Sequence, residues 1–159
     1  MKRVSVVFLQ AVILLIGAVV LVLLVRGPMA EGRAANLDVL RVYTDPFILY
    51  GYVAAVVFFV ALAKVFKLLG YIGRQDVFSL AAVRVVTAIK RCAVALAVLI
   101  VAAGVYIGIF HHKADDPAGF LAVCAVMAFA AVVAVCAAAV VEQLLRNAVD
   151  MKTENDLTI

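Results

Sequence analysis

Hydrophobic positions along this chain gather into four long runs that polar segments separate. A bilayer core of roughly 30 Å needs about 20 apolar residues in a helix, and each run can meet that need, the second with the apolar residues that follow it. The pattern predicts an all-α integral membrane bundle, a single domain over residues 1–159 with spans at about 4–25, 47–69, 86–110 and 118–145. The runs themselves are Val4–Val25, Phe47–Ala63, Cys92–Phe110 and Ala118–Val141, and none contains a charged residue.

Two of the four helices are predicted to be longer than the membrane is thick. Ser79 is a candidate N-cap, and no helix breaker follows it before Phe110. A helix over residues 80–110 would measure roughly 46 Å at 1.5 Å per residue. The fourth helix should likewise continue through Glu142 and Arg146. In the segment between the first and second runs, Gly27-Pro28 is expected to end the first helix, and Asp45-Pro46 is expected to begin the second.

The distribution of positive residues predicts the orientation. Of the fourteen Lys and Arg residues, ten lie before the first run, between the second and third, or after the fourth. Because Lys and Arg favour cytoplasmic loops, we expect both termini and the Lys64–Arg91 segment in the cytoplasm of a bacterial inner (plasma) membrane. The extensions of helices 3 and 4 should project there too. The first run is too long for a signal peptide, so we interpret it as a retained anchor.

Composition narrows the function classes. With 69% hydrophobic and 15% charged residues, the chain has no room for a separate soluble domain. It contains no nucleophile elbow, phosphate-binding glycine loop or paired acidic site, so we predict neither an enzyme nor a cofactor. The runs lack the charges and proline breaks that mark many transporter sites. A transport or pore component stays the alternative to a small non-enzymatic regulator.

Several residues within the runs are candidates for helix packing. Gln10 carries the one amide within a span and should face another helix. Small residues let helix backbones approach closely, which favours packing of helix 3 on helix 4, with weak self-association through a glycine pair as the alternative. We interpret the three cysteines as small apolar filler. The small-residue candidates are Gly104, Gly108, Ala130, Ala134 and Ala138, and the cysteines are Cys92, Cys124 and Cys136.

One loop carries groups that could bind a metal ion. His111, His112, Asp115 and Asp116 lie together before Pro117. Imidazoles and carboxylates are ligands for zinc or copper, and the histidine pair could instead titrate as an external pH sensor. Adjacent histidines in an exposed loop also suit a plain solvated turn, which is the interpretation we favour.

Two stretches resemble a family of bacterial four-helix membrane proteins known as a domain of unknown function. The first is Leu68–Ser79, continuing through Val83 and Ile89–Cys92, in which a helix end leads to a basic turn, then Phe-Ser, then the next helix. The second is the ending Glu154–Ile159. The resemblance covers the whole chain in length and span count, although Gln75 stands where the family commonly has Gly.

The resemblance implies a cytoplasmic partner, because such proteins are often encoded beside a small helix-turn-helix regulator. The expected partner would be that transcription factor, without direct nucleic-acid binding by this chain. The alternating pattern at Asp156–Ile159 could add as a strand to a partner's sheet, but a frayed tail is the interpretation that these residues alone favour. For the basic loop, membrane topology and contact with anionic lipid together are the competing interpretation, and the one we favour. The candidate partner-binding residues are Arg74, Phe78, Ser79, Arg84, Asn155, Asp156, Leu157 and Ile159.

Overall fold

Four long helices make up the regular structure of the residues that the computed structural model describes, which are 2–30, 45–74, 76–110 and 116–156. In chain order they are α1 (Lys2–Ala30), α2 (Pro46–Gly73), α3 (Leu80–Phe110) and α4 (Ala118–Asp156). Each is long and apolar enough to cross a membrane. The predicted all-α class and the four spanning helices are confirmed.

Side chains of the residues just before two of the helices fix where those helices begin. The carboxylate of Asp45 accepts the N–H of Phe47 at 2.8 Å, so that Pro46 occupies the first turn of α2. The hydroxyl of Ser79 accepts the N–H of Ala82 at 3.3 Å and caps α3 as predicted. These oxygen acceptors satisfy N–H groups that have no partner within the first helical turn.

The predicted break at Gly27-Pro28 is wrong, because α1 continues to Ala30. A proline within a helix lacks the N–H that would reach the carbonyl four residues earlier, here that of Leu24. The Tyr52 hydroxyl on α2 lies 3.5 Å from that carbonyl oxygen, at the long limit of a hydrogen bond. A neighbouring helix therefore supplies a donor beside the carbonyl that proline leaves unpaired.

Helices adjacent in the sequence pack against each other, most extensively α3 with α4, then α2 with α3, then α1 with α2. In the most apolar window of each helix, at most 6% of the residues are buried. Large side chains such as Phe8 and Phe129 are 66% and 72% exposed. Apolar surface on this scale suits a lipid solvent, and the chain is a membrane protein.

Burial is concentrated where α2 ends, α3 begins and α4 ends. We call this region the basal end and define it as residues 68–74, 76–90 and 138–156. Helices inside a bilayer gain no hydrophobic driving force for association, because lipid tails are as apolar as leucine. Beyond the hydrocarbon, water is present again and burial of apolar side chains stabilises the packing. The extended helices α3 and α4 thus form a core outside their apolar runs.

Candidate functional site

The centre of the basal end is a small apolar core between α3 and α4. It consists of Val83 and Val86 on α3 with Leu145 and Val149 on α4, and each is at most 8% exposed. Leu68 from the last turns of α2 and Val77 from the connecting turn pack against it. Three helices and the turn between two of them are therefore held together at one point.

A buried carboxylate lies beside this core. Glu142 on α4 is 6% exposed and forms ion pairs with Lys90 on α3 and with Arg146 one turn along its own helix. Thr87 donates its hydroxyl proton to the same carboxylate at 2.9 Å. A buried charge is tolerated when it is paired and hydrogen-bonded. This cluster links α3 to α4 at the level where their apolar runs stop.

Sequence reasoning placed Glu142 only in a helix extension and missed this cluster. The signal was available, since Glu142 and Arg146 are spaced i, i+4 and directly follow an apolar run. Thr87 and Lys90 are likewise on one face of α3. What the sequence alone did not supply was the register that brings those two faces together.

The turn between α2 and α3 is fixed by its own hydrogen bonds. The N–H of Asp76 donates to the carbonyl of Tyr71 at 3.0 Å. The hydroxyl of Ser79 donates to the carbonyl of Asp76 at 2.9 Å while it also caps α3. With Val77 packed on the core, Phe78 is left 57% exposed. The turn thereby presents an aromatic ring on a constrained backbone.

The structure brings most of the predicted partner-binding residues to the basal end. Arg74, Phe78 and Arg84 are exposed there, and Ser79 is half-buried as a helix cap. Asn155 is exposed in the last turn of α4, and Asp156 is the final residue of that helix. The helical backbone therefore includes Asp156, the first residue of the segment that the sequence pattern left as either a strand or a frayed tail. Leu157 and Ile159 lie outside the described residues.

The predicted packing residues lie in different environments. Gly104 is buried on α3, where a Cβ would be 3.4 Å from the Cβ of Cys124 on α4. Gly108 is exposed, and a Cβ there would be 3.9 Å from Leu121. Ala138 is buried, whereas Ala130 and Ala134 are exposed. Gln10 lines a cavity between α1 and α2.

Of the four candidate metal ligands, the structure describes Asp116 alone. Its carboxylate accepts the N–H of Ala118 at 3.0 Å and caps α4. His111, His112 and Asp115 lie outside the described residues. Within the part of the chain that is described, no three His, Cys, Asp or Glu residues are grouped to hold a metal ion. The cysteines there, Cys92, Cys124 and Cys136, are free thiols.

Two comparisons identify similar proteins. Residues 29–159 match the model of a family described as a protein of unknown function, DUF2975. Over 161 aligned residues the chain is 37% identical to the uncharacterized membrane protein YoaS of Bacillus subtilis (strain 168), and the alignment covers the whole of both chains. No solved structure matches the chain.

Proposed function

Since this membrane protein belongs to the DUF2975 family, we propose that it is a non-enzymatic regulator whose basal end binds a soluble protein. The expected partner is a cytoplasmic one such as a helix-turn-helix transcription factor. The positive-inside rule supports this sidedness, because most Lys and Arg residues flank the basal end. The proposed location is the bacterial inner (plasma) membrane, with both termini in the cytoplasm.

The observation that carries the proposal is that α4 ends on the same side of the molecule as the turn between α2 and α3. Val149 on α4 packs in one cluster with Val83, close to the start of α3 at Leu80. From Val149, α4 continues to Asp156, which is roughly 10 Å further at 1.5 Å per residue. The turn between α2 and α3 and the last described residues of α4, Glu154–Asp156, therefore lie at the same end of the molecule.

The exposed side chains of this end support a protein-binding role. Phe78 and Leu80 are 57% and 62% exposed, and the cations Arg74 and Arg84 are exposed near them. Exposed aromatic side chains and arginines are enriched among the residues that contribute most to protein interfaces. The core and the Glu142 cluster hold the backbone behind them, which reduces the ordering cost of binding.

The same residues could instead rest on anionic lipid, with Phe78 in the headgroup layer. Site-specific crosslinking separates the two roles. A photoreactive amino acid at Phe78, activated in native membranes, should crosslink to a soluble protein, and deletion of Glu154–Ile159 should reduce that product. The control is the same probe at Phe129, which is 72% exposed within the apolar run of α4. Crosslinks to lipid alone at both positions would contradict the proposal.

The transport or pore alternative is tested separately. Its support is limited to the four spans, whose apolar runs carry no charged residue. Purified protein in liposomes should give no flux of ions or small solutes above that of protein-free vesicles. A flux that scales with protein content would favour the alternative and count against the regulator.

A further inference from the structure

A cavity of about 440 Å³ lies between α1 and α2 at the basal side of the molecule. Four of its six lining residues carry polar groups, although most of the lining surface is apolar. Its lining residues are Gln10 on α1 and Phe66, Lys67, Gly70, Tyr71 and Arg74 at the end of α2.

The cavity exists because α1 and α2 approach each other closely on both sides of it and are further apart at the cavity itself. A Cβ at Gly17 would lie 3.0 Å from Leu62, and one at Gly73 would lie 3.5 Å from Val6. Gly70 lies between these contacts along α2, and a Cβ there would meet no heavy atom within 4 Å. The open volume is therefore centred beside Gly70.

The electrostatics of the cavity favour an anion. Arg74, the residue that follows α2, lies seven positions beyond Lys67, which is about two helical turns, with Tyr71 between them. The ammonium, guanidinium and phenol are hydrogen-bond donors, and the Gln10 amide adds another. No acidic side chain is among the described residues that line the cavity. Two cations without a carboxylate leave a net positive site.

We propose that this cavity binds the phosphate headgroup of an anionic phospholipid. Lys67 follows the apolar run of α2 within a few residues, so the donors lie near the level of the headgroups. Phe66, 38% exposed, supplies an apolar wall that suits the start of the acyl chains. Basic pockets between transmembrane helices are typical binding sites for anionic lipid headgroups. This inference shares Arg74 with the proposed protein-binding surface, but lipid binding by the purified protein is measured without the protein partner.

The test measures lipid bound to purified full-length protein by native mass spectrometry, with phosphatidylglycerol, phosphatidylcholine and inorganic phosphate as probes. Phosphatidylglycerol should bind in preference to phosphatidylcholine. Replacing both cations (Lys67→Gln with Arg74→Gln) should weaken phosphatidylglycerol binding at least about tenfold, because the headgroup loses two charge-assisted hydrogen bonds. The matched control removes two cations of α3 that do not line the cavity (Arg84→Gln with Arg91→Gln), and it should retain binding.

A second variant tests the cavity without changing its charge. Gly70→Leu places a side chain in the open volume and should also abolish preferential phosphatidylglycerol binding, while thermal unfolding in detergent reports whether each variant remains folded. Equal losses in the cavity and control variants, or full binding by Gly70→Leu, would overturn the proposal. Inorganic phosphate that competes as strongly as phosphatidylglycerol would show that the ligand is a free anion and not a lipid.

Discussion

The Thr87 hydroxyl on α3 donates a hydrogen bond of 2.9 Å to the carboxylate of Glu142 on α4. The two residues join helices at the point where both leave their apolar runs. Lys90 and Arg146 add ion pairs to the same carboxylate. A single acidic side chain thus links α4 to α3, and α4 ends on the same side of the molecule as the turn between α2 and α3.

The first prediction concerns that carboxylate. Glu142→Gln keeps the shape of the side chain but removes its charge, which leaves the Lys90 ammonium without its counter-ion in a partly buried position. Removing one partner of a buried ion pair is destabilising because the remaining charge is poorly solvated. We expect the midpoint of thermal unfolding in detergent to fall by several degrees. Asp150→Asn, an exposed acidic site two turns later, should leave the midpoint unchanged, and an equal fall in both would contradict the role of Glu142.

A second prediction tests the approach of α3 to α4 within the membrane. A Cβ at Gly104 would lie 3.4 Å from the Cβ of Cys124, close to the separation found in disulfides. Gly104→Cys, in a chain with Cys92→Ser and Cys136→Ser, should therefore form a disulfide with Cys124 on mild oxidation. Formation of the disulfide is detected because neither cysteine can then be labelled by maleimide. Gly108→Cys in the same background lies beside Leu121 and should remain labelled. Disulfide formation to the same extent in the two variants would contradict this register of α3 against α4.

The third prediction concerns the apolar core of the basal end. Val86 is 2% exposed, and Val86→Ala removes two methyl groups and leaves a small cavity. The expected loss is about 1–3 kcal/mol in the free energy of unfolding, measured by denaturant titration in micelles. Val98→Ala on the same helix, at a residue 62% exposed to lipid, is the control. A larger loss at Val98 would mean that the principal packing lies within the spans.

The sequence predicted the number and type of elements well because lipid imposes a simple length requirement on apolar helices. Ser79 was recognisable as a cap from its place before a helical segment without breakers. The continuation of α1 beyond Pro28 was not predictable from local rules, since it involves Tyr52 on another helix. A proline near a helix end is compatible with either outcome until its neighbours are known.

The sequence indicated which segments form the candidate surface, but it did not indicate the contacts that hold those segments in place. The family resemblance and the charge count pointed to the basic turn and the tail. The cluster around Glu142 depends on how α3 and α4 align, and no local pattern encodes that alignment. The cavity around Gly70 depends equally on close contacts at Gly17 and Gly73 that only the paired helices reveal. Long-range register, more than local propensity, determined both features.

The central claim is that the turn and the tail form one surface on the cytoplasmic side. It is tested most directly by labelling single cysteines at the two sites, Phe78→Cys and Asn155→Cys, in otherwise cysteine-free protein in intact cells. We predict that both positions are protected from a membrane-impermeant maleimide and become labelled when the membrane is permeabilised. Labelling of either position in intact cells would contradict the account.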